Sequence, residues 1–270
     1  MHFKKSLVLF LCLTFFISAV FVGCTEQKED KTENSIESDE SIMENSIEVS
    51  EESVIDISVA ESEESVIENV LKGKTFMFLG SSVTYGVDNI SFVEYIARNN
   101  DCTCKKQAVS GTTLVDNGAS SYVQRMLNNI NKNESFDHFI CQLSTNDASQ
   151  NKPLGKVSDS KKIEDFDTTT IIGAMEYIIA YASSTWDCPV SFYTGTYYNS
   201  ALYQKMVDAL YELQDKWGIG IIDLWNNPEM RNVSSQNYTL YMSDQVHPTK
   251  KGYEEWWTPV FEEYFRSYYA

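Results

Sequence analysis

The chain predicts an α/β domain whose sheet is parallel and covered by helices on both faces. Five short runs of apolar and β-branched residues recur through residues 73–270. Between them lie stretches with apolar residues at helical spacing, so strand and helix patterns alternate. That βαβα order is the signature of a parallel sheet with helices packed on each side. The segment is long enough to bury a substantial core as one domain.

The strands are expected at Thr75 to Leu79, Lys105 to Val109, His138 to Leu143, Val190 to Thr194 and Gly220 to Leu224. Phe92, Val93, Ile96 and Ala97 mark a first helix, and Tyr122, Val123, Met126, Leu127 and Ile130 a second. A third carries Ile171, Ile172, Met175, Ile178, Ile179 and Ala182. The fourth carries Leu202, Met206, Leu210, Leu213 and Trp217, with Gly218 as its stop. A last helix is expected from about Thr249 to Tyr268, kinked at Pro259, because proline removes a backbone donor and crowds the preceding turn.

The residues before position 73 are different in kind. Residues 1–24 read as an export signal: His2 and Lys4-Lys5 give a basic start, an apolar run follows from Leu7 to Val22, and small residues precede Cys24. The run is short for a membrane span, which needs about 20 residues. Residues 25–72 hold 16 acidic and 3 basic side chains, so most of the formal net charge of −18 belongs to this segment. It repeats itself, Glu33 to Glu37 recurring at Glu44 to Glu48 and Glu51 to Ile55 at Glu63 to Ile67. With no aromatic residue and no proline it reads as a self-repelling, disordered spacer, favoured over a short coiled coil. No concentrated basic face exists for nucleic acid.

Six cysteines include Cys12 in the leader and Cys24 at its end. Cys141 lies inside an apolar strand and reads as a small core residue. Cys102 and Cys104 lack a His or second cysteine pair at zinc-like spacing, so no metal site is expected. A disulfide after export is open, but its pairing is not legible.

In parallel sheets ligands gather at the carboxyl ends of the strands. Those positions carry Ser81-Ser82, Ser110-Gly111, Ser144 to Asp147, Gly195 to Tyr198 and Trp225-Asn226. A serine hydroxyl attacks an ester only if an imidazole takes its proton and an acceptor fixes the imidazole tautomer. The chain has three histidines. His2 lies in the leader, and His138 opens a strand whose far end leads to Asn146, roughly 25 Å away by strand rise. His247 is therefore the candidate base, with Asp244 three residues earlier as its partner and Ser82 as nucleophile. Ser82 N–H, Gly111 N–H and the Asn146 amide are candidate donors to an oxyanion. Taken singly, each of these residues reads more simply as turn, cap or surface-pair chemistry. Their joint occurrence carries the site.

Four blocks, Phe78 to Gly86, Ala108 to Thr113, Leu143 to Asp147 and Asp244 to Pro248, resemble the SGNH/GDSL hydrolase family in its own order. The resemblance spans residues 73–270. It implies a flavodoxin-like three-layer α/β/α fold with strand order 2-1-3-4-5, a Ser82–His247–Asp244 triad, an oxyanion hole at Ser82, Gly111 and Asn146, and no metal or organic cofactor. Ser81 departs from the usual Asp before the nucleophile, and Ser144-Thr145 from the usual glycines before Asn146. Val22-Gly23-Cys24 resembles a bacterial lipobox. That resemblance implies lipidation at Cys24 and a place on the outer face of the cytoplasmic membrane; plain secretion or an uncleaved anchor is the alternative.

The function read from these features is a serine esterase acting outside the cytoplasm, on acetyl or another short acyl group carried by a carbohydrate. Tyr85, Tyr197, Tyr198 and Trp225 fall near the inferred mouth and are candidate stacking surfaces for sugar rings, with core packing as the competing reading. A lipolytic esterase, thioesterase or lysophospholipase is the runner-up. A carbohydrate-binding protein that kept the fold without turnover is the third reading.

Overall fold

The computed structural model describes residues 69–270. Cys24, the leader and most of the acidic segment lie outside the described residues. The sheet has five strands: β1 Thr75–Gly80, β2 Thr103–Ala108, β3 His138–Gln142, β4 Val190–Tyr193 and β5 Gly220–Ile222. All neighbours are parallel and the order is β2-β1-β3-β4-β5, as expected.

β2 begins two residues earlier than the apolar pattern marks it. Its Thr-Cys-Lys-Lys-Gln-Ala sequence pairs residue for residue with Thr75–Gly80. It is an edge strand, where one side of the ladder is open and polar side chains are tolerated. Cys102 and Cys104 sit at its start as thiols with their sulfurs 3.8 Å apart.

The pleat of β1 divides the core, because successive side chains point to opposite faces. Met77 and Leu79 face one side with Phe139, Cys141 and Phe192, beneath α3 Tyr122–Asn129, α5 Ile171–Trp186 and α6 Ala201–Trp217. Phe76 and Phe78 face the other, beneath α2 Phe92–Asn100 and the C-terminal α9 Thr258–Tyr269. Phe92 anchors this second layer, stacking on Phe261 at 4.0 Å and meeting Tyr193 edge-on. Burying a phenylalanine side chain contributes about 1.5–3 kcal/mol. Leu71 is also fully buried in this layer, so residues 69–72 pack with the domain.

The helices start where side chains accept from their first turn. Ser91 and Glu94 form a reciprocal capping box at α2, and Ser121, Thr170 and Ser200 cap α3, α5 and α6. Gly218 closes α6 in the left-handed region. Three short helices escape the apolar pattern: α4 Thr145–Ser149, α7 Pro228–Arg231 and α8 Ser235–Tyr241, as does the single turn α1 Ser82–Tyr85.

The last helix differs from the expected kink. A π-helical stretch, Gly252–Trp257, runs directly into α9, and Pro259 sits in the first turn of α9. The Thr258 N–H bonds the Tyr253 carbonyl five residues back. Widening the preceding turn accommodates the proline ring and its missing donor, so the strain is absorbed as a π-turn.

Candidate active site

Ser82 stands at the first position of α1, immediately after β1 and Ser81. The turn beneath it is held by polar side chains from the next strands. The Gln142 Oε1 atom accepts from Ser81 N–H at 2.8 Å and from Thr84 Oγ1 at 2.9 Å, while Thr84 Oγ1 also meets Tyr193 OH at 2.6 Å. Gly80 is required there: a Cβ would fall 1.6 Å from Thr84 Oγ1 and 2.7 Å from Gln142 Oε1. Ser81 is fully buried and uncharged, where the family resemblance expects Asp.

Arg125 locks the same region from below. Its guanidinium, almost wholly buried, donates to Gly80 O and Gln107 O at 2.7 Å each, to Ser120 O at 2.9 Å and to Thr112 Oγ1 at 3.2 Å. One side chain thus ties the ends of β1 and β2 to the loop that carries Gly111. Burial pushes its pKa down, as expected for a cation taken from water.

His247 reaches Ser82 from the other end of the chain. Its Nε2 lies 2.8 Å from Ser82 Oγ, and its Nδ1 lies 2.8 Å from Asp244 Oδ2 and 3.1 Å from Asp244 Oδ1. The loop between them is self-bonded: Asp244 Oδ1 accepts from Val246 N–H at 2.7 Å and His247 N–H at 2.8 Å, and Ser243 N–H bonds His247 O. An ionised carboxylate only accepts, so Nδ1 carries the imidazole proton and Nε2 presents its lone pair to the serine. Burial pushes the Asp244 carboxyl up, but the hydrogen bonds from Val246, His247 and the imidazole outweigh it and hold the group below the usual carboxylate range.

The two remaining loops are bound to each other. Asn146, in α4, donates from Nδ2 to Thr112 O at 2.9 Å, which orients its amide and leaves a second amide hydrogen. Asp147 accepts from Leu114 N–H at 2.7 Å and Val115 N–H at 3.1 Å. Burial raises its pKa, opposed by these amides and the Ser144 hydroxyl. Gly111 lies in the left-handed region at φ +79°, with open space where a Cβ would stand. Ser144 adopts φ −74°, a conformation that needs no glycine, which explains why Ser-Thr is tolerated before Asn146.

The aromatic positions separate. Tyr85 and Tyr197 are exposed, and Arg231 lies 4.1 Å over the Tyr197 ring. Tyr198 is half-buried against Trp225 and Tyr203. Trp225 is 0% exposed and corrects the expected rim: its indole packs on Tyr203 at 4.9 Å and its N–H donates to Gln204 Oε1. The competing core reading holds at that position. Sequence reasoning also missed Arg125, Gln142 and Asp147 as supports, since a lone polar residue inside an apolar pattern carries no signal of what it will bond.

A serine hydroxyl, an imidazole and a carboxylate joined by hydrogen bonds, beside two joined loops that offer donors, are an arrangement that can perform acyl transfer through a tetrahedral oxyanion. A family model for GDSL-like lipases and acylhydrolases matches residues 76–258, from β1 into α9. The chain belongs to the GDSL-like lipase/acylhydrolase family. It is an ester-hydrolysing enzyme of that family. Solved structures share the fold at low identity. A protein from Lactobacillus plantarum is 18% identical with a TM-score of 0.58, over 73% of this chain and 96% of its own. A lipase candidate from Chitinophaga pinensis is 16% identical at 0.57, over 72% and 98%, and a protein from Bacteroides ovatus assigned as a GDSL-like lipase is 16% identical at 0.54, over 73% and 99%. No curated protein matches the chain.

Proposed function

We propose that Ser82, His247 and Asp244 form the catalytic triad of a serine esterase that works outside the cytoplasm. The observation that carries the reading is the continuous path Ser82 Oγ, His247 Nε2, His247 Nδ1, Asp244 Oδ2, with 2.8 Å at each hydrogen bond. His247 takes the Ser82 proton as Oγ bonds to the ester carbon. The oxyanion that forms is received by Ser82 N–H, Gly111 N–H and the free amide hydrogen of Asn146. The imidazolium returns its proton to the departing alkoxide, leaving an acyl-serine and free alcohol. Water, deprotonated by His247, then releases the acid and restores Ser82. Asp244 remains ionised throughout and stabilises the imidazolium.

The substrate proposed is a short acyl ester, such as acetyl, on a carbohydrate. The exposed Tyr85 and Tyr197 rings and the export-type leader support it. Lipidation at Cys24, with residues 25–68 as a tether, would hold the enzyme on the outer face of the membrane; mass spectrometry of the mature N-terminus tests that part. The esterase reading is tested with p-nitrophenyl acetate, longer p-nitrophenyl esters and a fluorophosphonate probe. Wild type is expected to hydrolyse the acetate fastest and to be labelled at Ser82, with both lost in Ser82→Ala. A preference for long acyl chains would favour a lipolytic enzyme, and an unlabelled Ser82 would overturn the triad.

A further inference from the structure

Beside the loop that carries Asp244 and His247 lies a cavity of about 360 Å³. Thr196 and Tyr197 come to it from the loop after β4, Arg231 from the end of α7, Tyr238 from α8, and Trp256 from the π-helical stretch. Tyr238 OH reaches the Asp244 carbonyl at 3.5 Å, so the cavity shares a wall with the triad loop. Its size is that of a small-ligand site, typically about 300–1,000 Å³.

Two polar groups here lack partners among the described residues. None of the ion pairs among the described residues includes Arg231, although the chain has 39 acidic and only 21 basic side chains. Instead the guanidinium is held over the Tyr197 ring, which orients it while leaving its donors free. Thr196 is only 4% exposed, and its Oγ1 has no hydrogen-bond partner among the described residues. Buried hydroxyls are normally satisfied, so an unpartnered one behind the cavity wall is polar capacity that the protein itself leaves unused.

We propose that this cavity binds a saccharide bearing a carboxylate, which makes the enzyme's substrate an acylated acidic glycan. The guanidinium fork pairs with the carboxylate, a charge-assisted bond that no neutral sugar offers. Tyr238 and Trp256 add aromatic lining for the sugar's C–H surface. Only Met230 and Val233 are aliphatic in the lining, which leaves little for a lipid chain. The inference rests on the esterase reading for its consequence, but the binding stands apart from turnover.

The test is calorimetric titration of the full chain with trigalacturonate and with its neutral counterpart galactotriose. Trigalacturonate is expected to bind about tenfold more tightly or better, the worth of one charge-assisted pair. Arg231→Gln removes that preference, and Arg231→Lys restores part of it by keeping the charge without the fork. Equal affinity for the two sugars, or a preference that survives Arg231→Gln, overturns the proposal. Wild-type p-nitrophenyl acetate hydrolysis run alongside separates the two readings. Binding without hydrolysis sinks the esterase reading alone, and hydrolysis without an acid-sugar preference sinks this one alone.

Discussion

Acid should act on this enzyme's stability through His138, a histidine buried away from the candidate site. The ring is fully buried, with Nε2 2.7 Å from Ser191 Oγ and Nδ1 3.2 Å from Tyr269 OH. Burial drives its pKa down to about 4, against a weaker upward pull from Asp137. In the unfolded chain the ring titrates near 6.5. As pH falls, the unfolded state takes up a proton that the folded state refuses. The stability held by the neutral ring is complete above about 6.5 and is lost progressively down to about 4. Integrated from about pH 7.5 to about pH 5, the linkage amounts to about 2 kcal/mol. His138→Phe isolates it cleanly, because Ser191 Oγ keeps Tyr264 OH at 2.8 Å and Tyr269 OH keeps Asp137 O at 2.9 Å. The new ring also joins Phe265 and Tyr268, which already meet the imidazole edge-on. Urea unfolding across that pH range should show wild type losing about 2 kcal/mol more than His138→Phe. Parallel losses in the two proteins would refute the reasoning.

Asp244→Asn should keep the loop but turn an N–H toward His247 Nδ1, forcing the wrong tautomer; p-nitrophenyl acetate turnover is expected to fall about 10⁴-fold with the melting temperature unchanged. Asn146→Ala should lower kcat about 10²-fold with little change in KM, since its donor acts on charge that develops only in the transition state. Arg125→Met strips donors from three carbonyls and a hydroxyl at once. Denaturant titration should show a loss of about 3 kcal/mol, and fluorophosphonate labelling of Ser82 should slow as its turn loosens.

The sheet and the long helices were legible because their burial is patterned: α5 and α6 repeat apolar residues at helical spacing, and four strands are short, mostly apolar runs. β2 was legible only in part, since an edge strand buries little. The meeting of Ser82, His247 and Asp244 was legible because few histidines compete to pair with the serine. What stayed hidden depends on contacts between distant segments. Arg125 reads as an outward-facing helical position until the carbonyls of Gly80 and Gln107 are seen to need it. Trp225 stands where a rim residue belongs, yet Tyr203 and Gln204 draw it inward. The π-turn before Pro259 follows from local sterics that leave no trace in hydrophobic periodicity.

Ser82 Oγ and His247 Nε2 touch across 165 residues of chain. A ribosome therefore delivers the serine long before the histidine, and synthesis runs at about 5–20 residues per second. Until the loop that carries His247 folds back onto the end of β1, the hydroxyl has no imidazole beside it. If Ser82 is the nucleophile proposed, a nascent chain carries it inert, and covalent labelling at Ser82 reports that these two distant segments have met.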